Sequence, residues 1–557
     1  MEEKRAAENR AQDSNATSNN DEHDDLHSLS SSQNSELDHR PTTPGKDVED
    51  QVRVSPAASD EEVPRVVPRL SRRGLFGQIT LLEEIENPKC YPRNKKWFIT
   101  FVVAVAGSVA PMGSSIFFPA LSQVADELNA TTTVTNLTIS LYMLSMSIFP
   151  LWWSSFSERL GRRTIYIVSF ALFVVFNVLC AISSSISMLI VMRLLSGGAS
   201  ASVQAVGAGT IADIWDTRER GRAMGIFYLG PLCGPLIAPI VGGVLAQRWQ
   251  WRSTMWFFCA YGALVVVLIL LGLPETLSKA NQKSTMPAEP TPTEETLSRR
   301  ASRVSSVQTQ VLSTTTRWLK LAKISFLDPL KIILYLRYLP VLLTVYYAAI
   351  TFGSLYVLNV SIENSFGKDP YNFDTIIVGL LYIPNSLGYF VASLFGGRWI
   401  DKIMEREAKK ANRYDEKGNL IFRPEDRMRE NAWLGALLYP AGLIWYGWTV
   451  DKGVFWLAPM IANFFFGIGS MLIFSMVTTM LTEFMPKKSS EGVALNNFTR
   501  NIFSCVGSFV TAPIINGIGN GWLFTIIGLV AFASSGVIVV MKVYGPRWKE
   551  GMDKLMQ

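Results

Sequence analysis

The chain has 557 residues, of which 48% are hydrophobic and only 18% charged, with a net charge of +6. That balance is too apolar for an ordinary soluble chain, and its slight basicity carries no nucleic-acid signature. Five cysteines (Cys90, Cys180, Cys233, Cys259, Cys505) lie singly, four of them in apolar runs, so they read as packing residues, without a disulfide framework or a metal cluster.

Residues 1–62 are rich in Asp, Glu, Ser and Asn and nearly free of aromatics, so they cannot bury enough apolar surface to offset chain entropy. They read as a disordered tail, without a cleavable signal peptide, in a soluble segment that extends to residue 95. Within it, RVVPRLSRRGLFGQITLLEEIENP places Leu75, Phe76, Ile79, Leu81 and Leu82 among basic residues. This reads either as a short amphipathic helix on an anionic leaflet or as a plain linker.

From Trp97 onward, twelve apolar runs of bilayer-crossing length follow. They cover about 97–121, 134–153, 164–184, 187–212, 223–246, 253–273, 340–361, 375–395, 432–450, 454–480, 492–516 and 520–542. The fold class is therefore an all-α, multi-pass membrane protein. Lys and Arg concentrate in alternate loops: Arg159, Arg162 and Arg163, then Arg218, Arg220 and Arg222, about ten bases between Arg398 and Arg429, and Lys487 with Lys488. The positive-inside rule puts these loops and both termini in the cytoplasm.

The fifth run contains YLGPLCGPLIAPIVGG from Tyr228. Gly230, Gly234, Ala238 and Gly242 recur every four residues and form a stripe without side chains, against which a helix can pack closely. Pro231, Pro235 and Pro239 form an adjacent stripe, each removing a backbone hydrogen bond. The pattern predicts a bendable, tightly packed helix at a rocking seam, with Gly243 closing the motif. A kink needed only for folding is the plainer reading.

A Ser-, Thr- and Pro-rich loop from about Ser278 to Trp318 separates six runs from six. It contains SRRASRVSS, in which Ser302 follows two arginines as a kinase substrate would. The halves repeat: Ser154 with Glu158 matches Gly397 with Asp401, and Arg193 with Gly197 matches Asn463 with Gly467. The second spacing exceeds the first by 27 residues, about the extra length of the loop before the ninth run. The expected segments are a 96–276 bundle, a 277–335 loop, a 336–545 bundle and a 546–557 tail, with both bundles built of six helices.

Together, SERLGRR after the second run, RLLSGGASA in the fourth, GPLCGPLIAPIVGG in the fifth and LPETL after the sixth resemble the signature set of the major facilitator superfamily. More narrowly, the chain is similar to its twelve-span fungal drug:proton antiporters of the quinidine-resistance type. The resemblance implies two bundles rocking about a central site, and a fifth-span motif that marks exporters. It also implies that the cluster of Glu158, Arg159, Arg162 and Arg163 latches the outward-facing state, with Asp213 a partner for Arg162. A purely orienting basic cluster is the alternative.

Within the twelve runs there is no Asp or Glu, while Arg193 and Arg500 lie inside the fourth and eleventh, and all three histidines are in the tail. A membrane-buried arginine is a functional candidate by default. Proton coupling and gating therefore fall to Asp126, Glu158, Asp213, Glu275, Asp401 or Glu483, or act through Arg193. Asn136, Gln204, Tyr228, Tyr346, Tyr382, Asn385, Asn463, Asn497 and Arg500 are the candidate substrate cavity, a set that favours organic anions or neutral amphiphiles. The expected function is proton-coupled efflux of amphiphilic drugs, organic acids or polyamine-like compounds by a monomer in the plasma membrane, with the vacuolar membrane second. No cofactor, metal or enzymatic chemistry is expected. A nutrient importer of the same fold is the alternative reading, and a non-transporting receptor or scaffold a distant one.

Overall fold

The computed structural model describes residues 65–277, 328–414, 420, 426, 428–485 and 489–555. The described residues belong to one compact unit. Ser302 lies outside the described residues, as do the side chains of Asp401 and Glu483 and the surroundings of Gly397.

The first half contains α1 (Arg93–Ser115), α2 (Leu121–Glu127), α3 (Thr132–Leu160), α4 (Arg162–Ala181), α5 (Ile186–Ser200), α6 (Ser202–Ile214), α7 (Thr217–Trp249) and α8 (Arg252–Gly272). The second contains α9 (Leu339–Phe366), α10 (Thr375–Leu380), α11 (Ile383–Lys410), α12 (Glu430–Asp451), α13 (Leu457–Phe484), α14 (Ser489–Ser534) and α15 (Gly536–Leu555). Among the described residues, ten helical stretches are long and apolar enough to cross a membrane. One of these, Glu491–Gly545, is 55 residues long and folds back at Gly519, where φ is 79°. Together with the glycine- and aromatic-rich α12, they make twelve crossings.

Helices form and stop for local reasons. Thr131 caps α3 through the Val134 N–H at 3.4 Å, and Ser185 caps α5 through the Met188 N–H at 3.3 Å. Pro119 and Pro384 each start a fresh helical segment where a crossing is broken in two. Inside the spans, many hydroxyl groups turn back onto their own helix, as Thr100 Oγ1 does to the Lys96 carbonyl at 2.8 Å, which satisfies the donor without water. Large apolar side chains such as Phe101, Val175, Phe395 and Leu529 are exposed on the outer surface, as a lipid-facing wall requires.

Glycines set the helix spacing. A Cβ at Gly197 would lie 2.8 Å from the Tyr142 carbonyl, which fits α5 against α3; a Cβ at Gly467 would overlap the Asn385 carbonyl, which fits α13 against α11. Tyr142 and Asn385 stand at the same spacing as Ser154 and Gly397. The repeat seen in the sequence is thus a repeat of close helix contacts. Between halves, α3 packs on α14 and α7 on α10.

Three expectations change. Residues 65–92 form no amphipathic helix, because Pro68, Gly74, Gly77 and Pro88 interrupt it. They make short 3-10 turns in a strap that is closed by an isolated bridge between Val66 and Ile85 and by the Arg73–Glu84 ion pair at 2.6 Å. Secondly, α15 continues to Leu555, so residues expected as a tail from 546 extend the last helix. Thirdly, the seventh crossing runs on to Phe366 and carries Glu363, buried at 6% exposure, so the spans are not free of acids.

Candidate functional site

A cavity of about 450 Å³ lies between the two halves. Its walls include Tyr228, Pro231, Pro235 and Pro239 from α7, Phe352, Tyr356 and Asn359 from α9, and Asn496, Asn497, Arg500 and Asn501 from α14. Gln204, Tyr228, Thr478, Val493 and Asn497 line both this cavity and a vestibule of about 1000 Å³. The vestibule opens past Glu158, Arg159, Arg162, Asp213 and Arg220, so it belongs to the end of the molecule where the basic loops gather.

The fifth-span motif divides by face. Its prolines line the cavity, while its glycines meet α1: Cβ atoms at Gly230 and Gly242 would overlap the carbonyls of Ala104 and Ile116, and one at Gly234 would lie 3.1 Å from Met112. The stripe therefore packs within its own half. The other half is met toward the end of the motif, where a Cβ at Gly243 would lie 2.8 Å from the Thr375 carbonyl and one at Gly379 2.6 Å from the Pro239 carbonyl. The predicted seam is thus shorter than the motif.

Opposite the vestibule the halves are sealed. Glu363 Oε1 accepts the backbone N–H of Ser122 at 3.1 Å, and the Ile376 N–H donates to Gln247 Oε1 at 2.9 Å. Deeper in, Ser114 Oγ and the Tyr356 hydroxyl are 3.0 Å apart, and Phe118 stacks on Tyr382 with centroids 5.8 Å apart. Glu363 escaped the sequence reading because hydropathy ended that run at residue 361. Asn364, Ser365 and Phe366 beyond it are weak helix formers, so local propensity gave no signal that the helix continued.

At the basic end, Arg162 Nε donates to Asp213 Oδ2 at 3.2 Å and its Nη1 to Ser157 Oγ at 2.7 Å. Glu275 sits at the start of α4, where Oε1 accepts the Arg162 N–H at 2.9 Å and Oε2 the Arg163 N–H at 3.3 Å. A carboxylate at a helix N-terminus satisfies otherwise unpaired amides. Burial nevertheless pushes the Glu275 carboxyl above its ordinary range, opposed by the N–H groups of Leu277 and Arg162. The fit demands Gly161, whose φ is 95° and whose Cβ would overlap Glu275 Oε2. Arg163 points the other way: its guanidinium donates to the carbonyls of Leu75 and Phe76 in the strap and of Ile269, Leu270 and Leu273 near the end of α8.

Arg193 does not reach the cavity. It is buried, with its guanidinium carbon 4.7 Å from the Phe117 ring centroid and 4.5 Å from that of Tyr142, and Nη2 donates to the Gly113 carbonyl at 2.9 Å. Arg500 does line the cavity, 4.1 Å from the Phe352 centroid and 5.0 Å from that of Phe474.

Of the expected cavity residues, Gln204, Tyr228, Tyr382, Asn385, Asn497 and Arg500 line it, as does Asn496, a polar residue at the same depth in the sequence; Asn359 and Asn501, which the sequence did not single out, join them. Three do not. Asn136 and Asn463 are fully buried between helices, and Tyr346 turns to Ser534 on the last crossing, 3.0 Å away. Every face of these helices is apolar enough for lipid, so periodicity carried little information about which face is inward.

The sequence profile of the Major Facilitator Superfamily matches residues 103–508. The chain is 36% identical to the MFS antiporter QDR3 of Candida albicans, over 87% of this chain and 83% of that one. It is 32% identical to Quinidine resistance protein 3 of Saccharomyces cerevisiae, over 88% of each. In fold it is similar to a D-xylose-proton symporter crystal structure, with a TM-score of 0.55 and 14% identity, covering 79% of this chain and 97% of that one.

Proposed function

The chain belongs to the Major Facilitator Superfamily, and from that premise we propose that it is a proton-coupled efflux transporter of drugs and small metabolites, working by alternating access. The observation that carries this reading is a central cavity continuous with a vestibule at the basic end and sealed at the Glu363 end. Such a shape holds a substrate-sized space accessible from one side at a time. The basic loops orient the open end toward the cytoplasm, so this is the inward-facing, substrate-loading form. Its setting is the plasma membrane, ahead of the vacuolar membrane, with both termini inside and the chain acting as a monomer.

Outward release requires the Glu363 end to part and the basic end to close. At the basic end, Arg162, Asp213 and Glu158 supply the groups of a latch. At the other end, the contacts that must break are few and mostly neutral hydrogen bonds. Protons are carried by carboxylates at the two ends: Glu363, buried, stands where the sealed end must open, and Asp213, half-buried, where the open end must close. Export is supported by the proline face of α7, which gives the cavity a wall without backbone donors. The relatives' printed names, an antiporter and a resistance protein, accord with this direction.

Accumulation of a substrate panel in cells with and without the protein, at two external pH values, tests the reading. Lower accumulation with the protein, more so at acidic external pH, is the expected result. Equal accumulation across the panel, or higher accumulation with the protein, would overturn it.

A further inference from the structure

We infer that Arg500 forms an anion-binding subsite in the central cavity, one that takes organic acids carrying a carboxylate together with hydroxyl or amino donors; this rests on the efflux reading and names its substrate class. The arginines in and around the spans differ in what their N–H groups meet. Arg162 has the Asp213 carboxylate and Ser157, Arg163 has five backbone carbonyls, and Arg193 has the Gly113 carbonyl. Arg500 differs: its side chain makes no hydrogen bond or ion pair to any described residue, whereas Arg193, whose Nε is likewise without a partner, still spends one N–H on Gly113.

Packing explains how such a side chain is held without an acceptor. Phe352 from α9 and Phe474 from α13 lie against the guanidinium at 4.1 and 5.0 Å, which fixes it through ring contacts and leaves the donors at its edge unspent. Among the described residues lining the 450 Å³ cavity, Arg500 is the one charged side chain, and no carboxylate is present to neutralise it. A guanidinium edge matches a carboxylate with two parallel N–H···O bonds, and a site with little water strengthens that pairing.

The rest of the lining narrows the ligand further. Asn359 Oδ1, Asn385 Oδ1, Asn496 Oδ1 and Gln204 Oε1 are buried without partners and belong to cavity-lining residues. Each amide carries an acceptor oxygen beside its N–H donors, so the cavity wall suits a ligand that brings hydroxyl or amino groups. Tyr228, Tyr356 and Tyr389 add aromatic faces and hydroxyls around the same space. A carboxylate joined to an apolar or aromatic body with hydroxyl or amino groups satisfies all three features. A polyamine puts cationic centres against the fixed charge of Arg500 and is the poorest match of the three classes expected from the sequence.

Equilibrium binding to the purified full-length protein tests this, with 4-hydroxybenzoate, its methyl ester and spermidine as probes at neutral pH. The wild-type protein should bind the acid at least tenfold more tightly than the ester and bind spermidine weakest. Arg500→Gln should lose that preference, weakening the acid about tenfold and the ester less than twofold, while Arg500→Lys retains part of it. Equal binding of acid and ester by the wild type, or an equal loss of both in an Arg500→Gln protein whose thermal melting is unchanged, would overturn the inference. Transport of the same probes in vesicles separates the two readings. Arg500-dependent binding without transport would leave the anion site standing and sink the efflux reading, whereas transport with no acid preference would do the reverse.

Discussion

Arg193 and Arg500 occupy chambers built alike and used differently. Each guanidinium lies between two aromatic rings on apolar helices, but Arg193 sits in the first half, shut from the cavity, with Gly113 accepting from it. Arg500 sits in the second half and faces the cavity with its donors unspent. Ring contacts contribute about 0.5–2 kcal/mol each and a charged hydrogen bond about 1.5–3 kcal/mol, against a desolvation penalty of several kcal/mol for a buried cation. The sealed chamber offsets that penalty within the protein. The open one leaves the balance to whatever enters the cavity.

The comparison is broken most severely by Arg193→Ala. Removing that side chain empties the space between Phe117 and Tyr142 and leaves the Gly113 carbonyl unpaired, at a cost of roughly 3–5 kcal/mol by analogy with large-to-small core changes. Transport of acids and neutral compounds should fall together, by at least tenfold, with a lowered melting temperature. Arg193→Lys should lower both by a single common factor. A selective loss of acid transport would show that Arg193 meets substrate after all and dissolve the distinction.

The sealed chamber should also be intolerant of volume. A Cβ at Gly113 would overlap the Tyr142 hydroxyl, so Gly113→Ala is expected to cost about 1–3 kcal/mol, read as a drop in melting temperature of the purified protein. A wild-type melting curve would mean that the chamber is looser than its geometry implies.

A third arginine calibrates the pair, since Arg162 has the carboxylate that both lack. Arg162→Ala and Asp213→Ala should each impair transport, and the double-mutant cycle should show a coupling of about 1 kcal/mol. Strictly additive losses would show that the 3.2 Å contact has no energetic weight. The smallest effect belongs to the open chamber: a Cβ at Gly353, beside Phe352, meets Phe503 only at 3.4 Å, so Gly353→Ala should change stability by less than about 0.5 kcal/mol.

Hydropathy marked the crossings to within a few residues, and charge in the loops marked the basic end. The Arg162–Asp213 pair was legible because both lie where loops meet helix ends, and so were six cavity residues. Orientation around each helix was not legible. Arg193 and Asn463 look polar and central in the sequence, yet both turn into their own halves, because glycines at Gly197 and Gly467 draw those faces against neighbouring helices. Glu363 was lost to an apolarity criterion that ends a span at its first acid, although a protein interface can bury that acid within the last turn. Glu275, expected as a coupling acid, holds the first turn of α4; its backbone partners depend on a turn geometry that Gly161 alone announces.

Arg163 has two of its five carbonyl partners in the strap, at Leu75 and Phe76, and Gly74 lets the strap close over both Arg163 and Glu275. A chain trimmed to its first crossing would therefore strip acceptors from a fully buried guanidinium and admit water to the carboxylate beneath it. The shortest piece that keeps this knot intact begins near Val66, where the bridge to Ile85 closes the strap, and a tag or fusion joint belongs ahead of that residue.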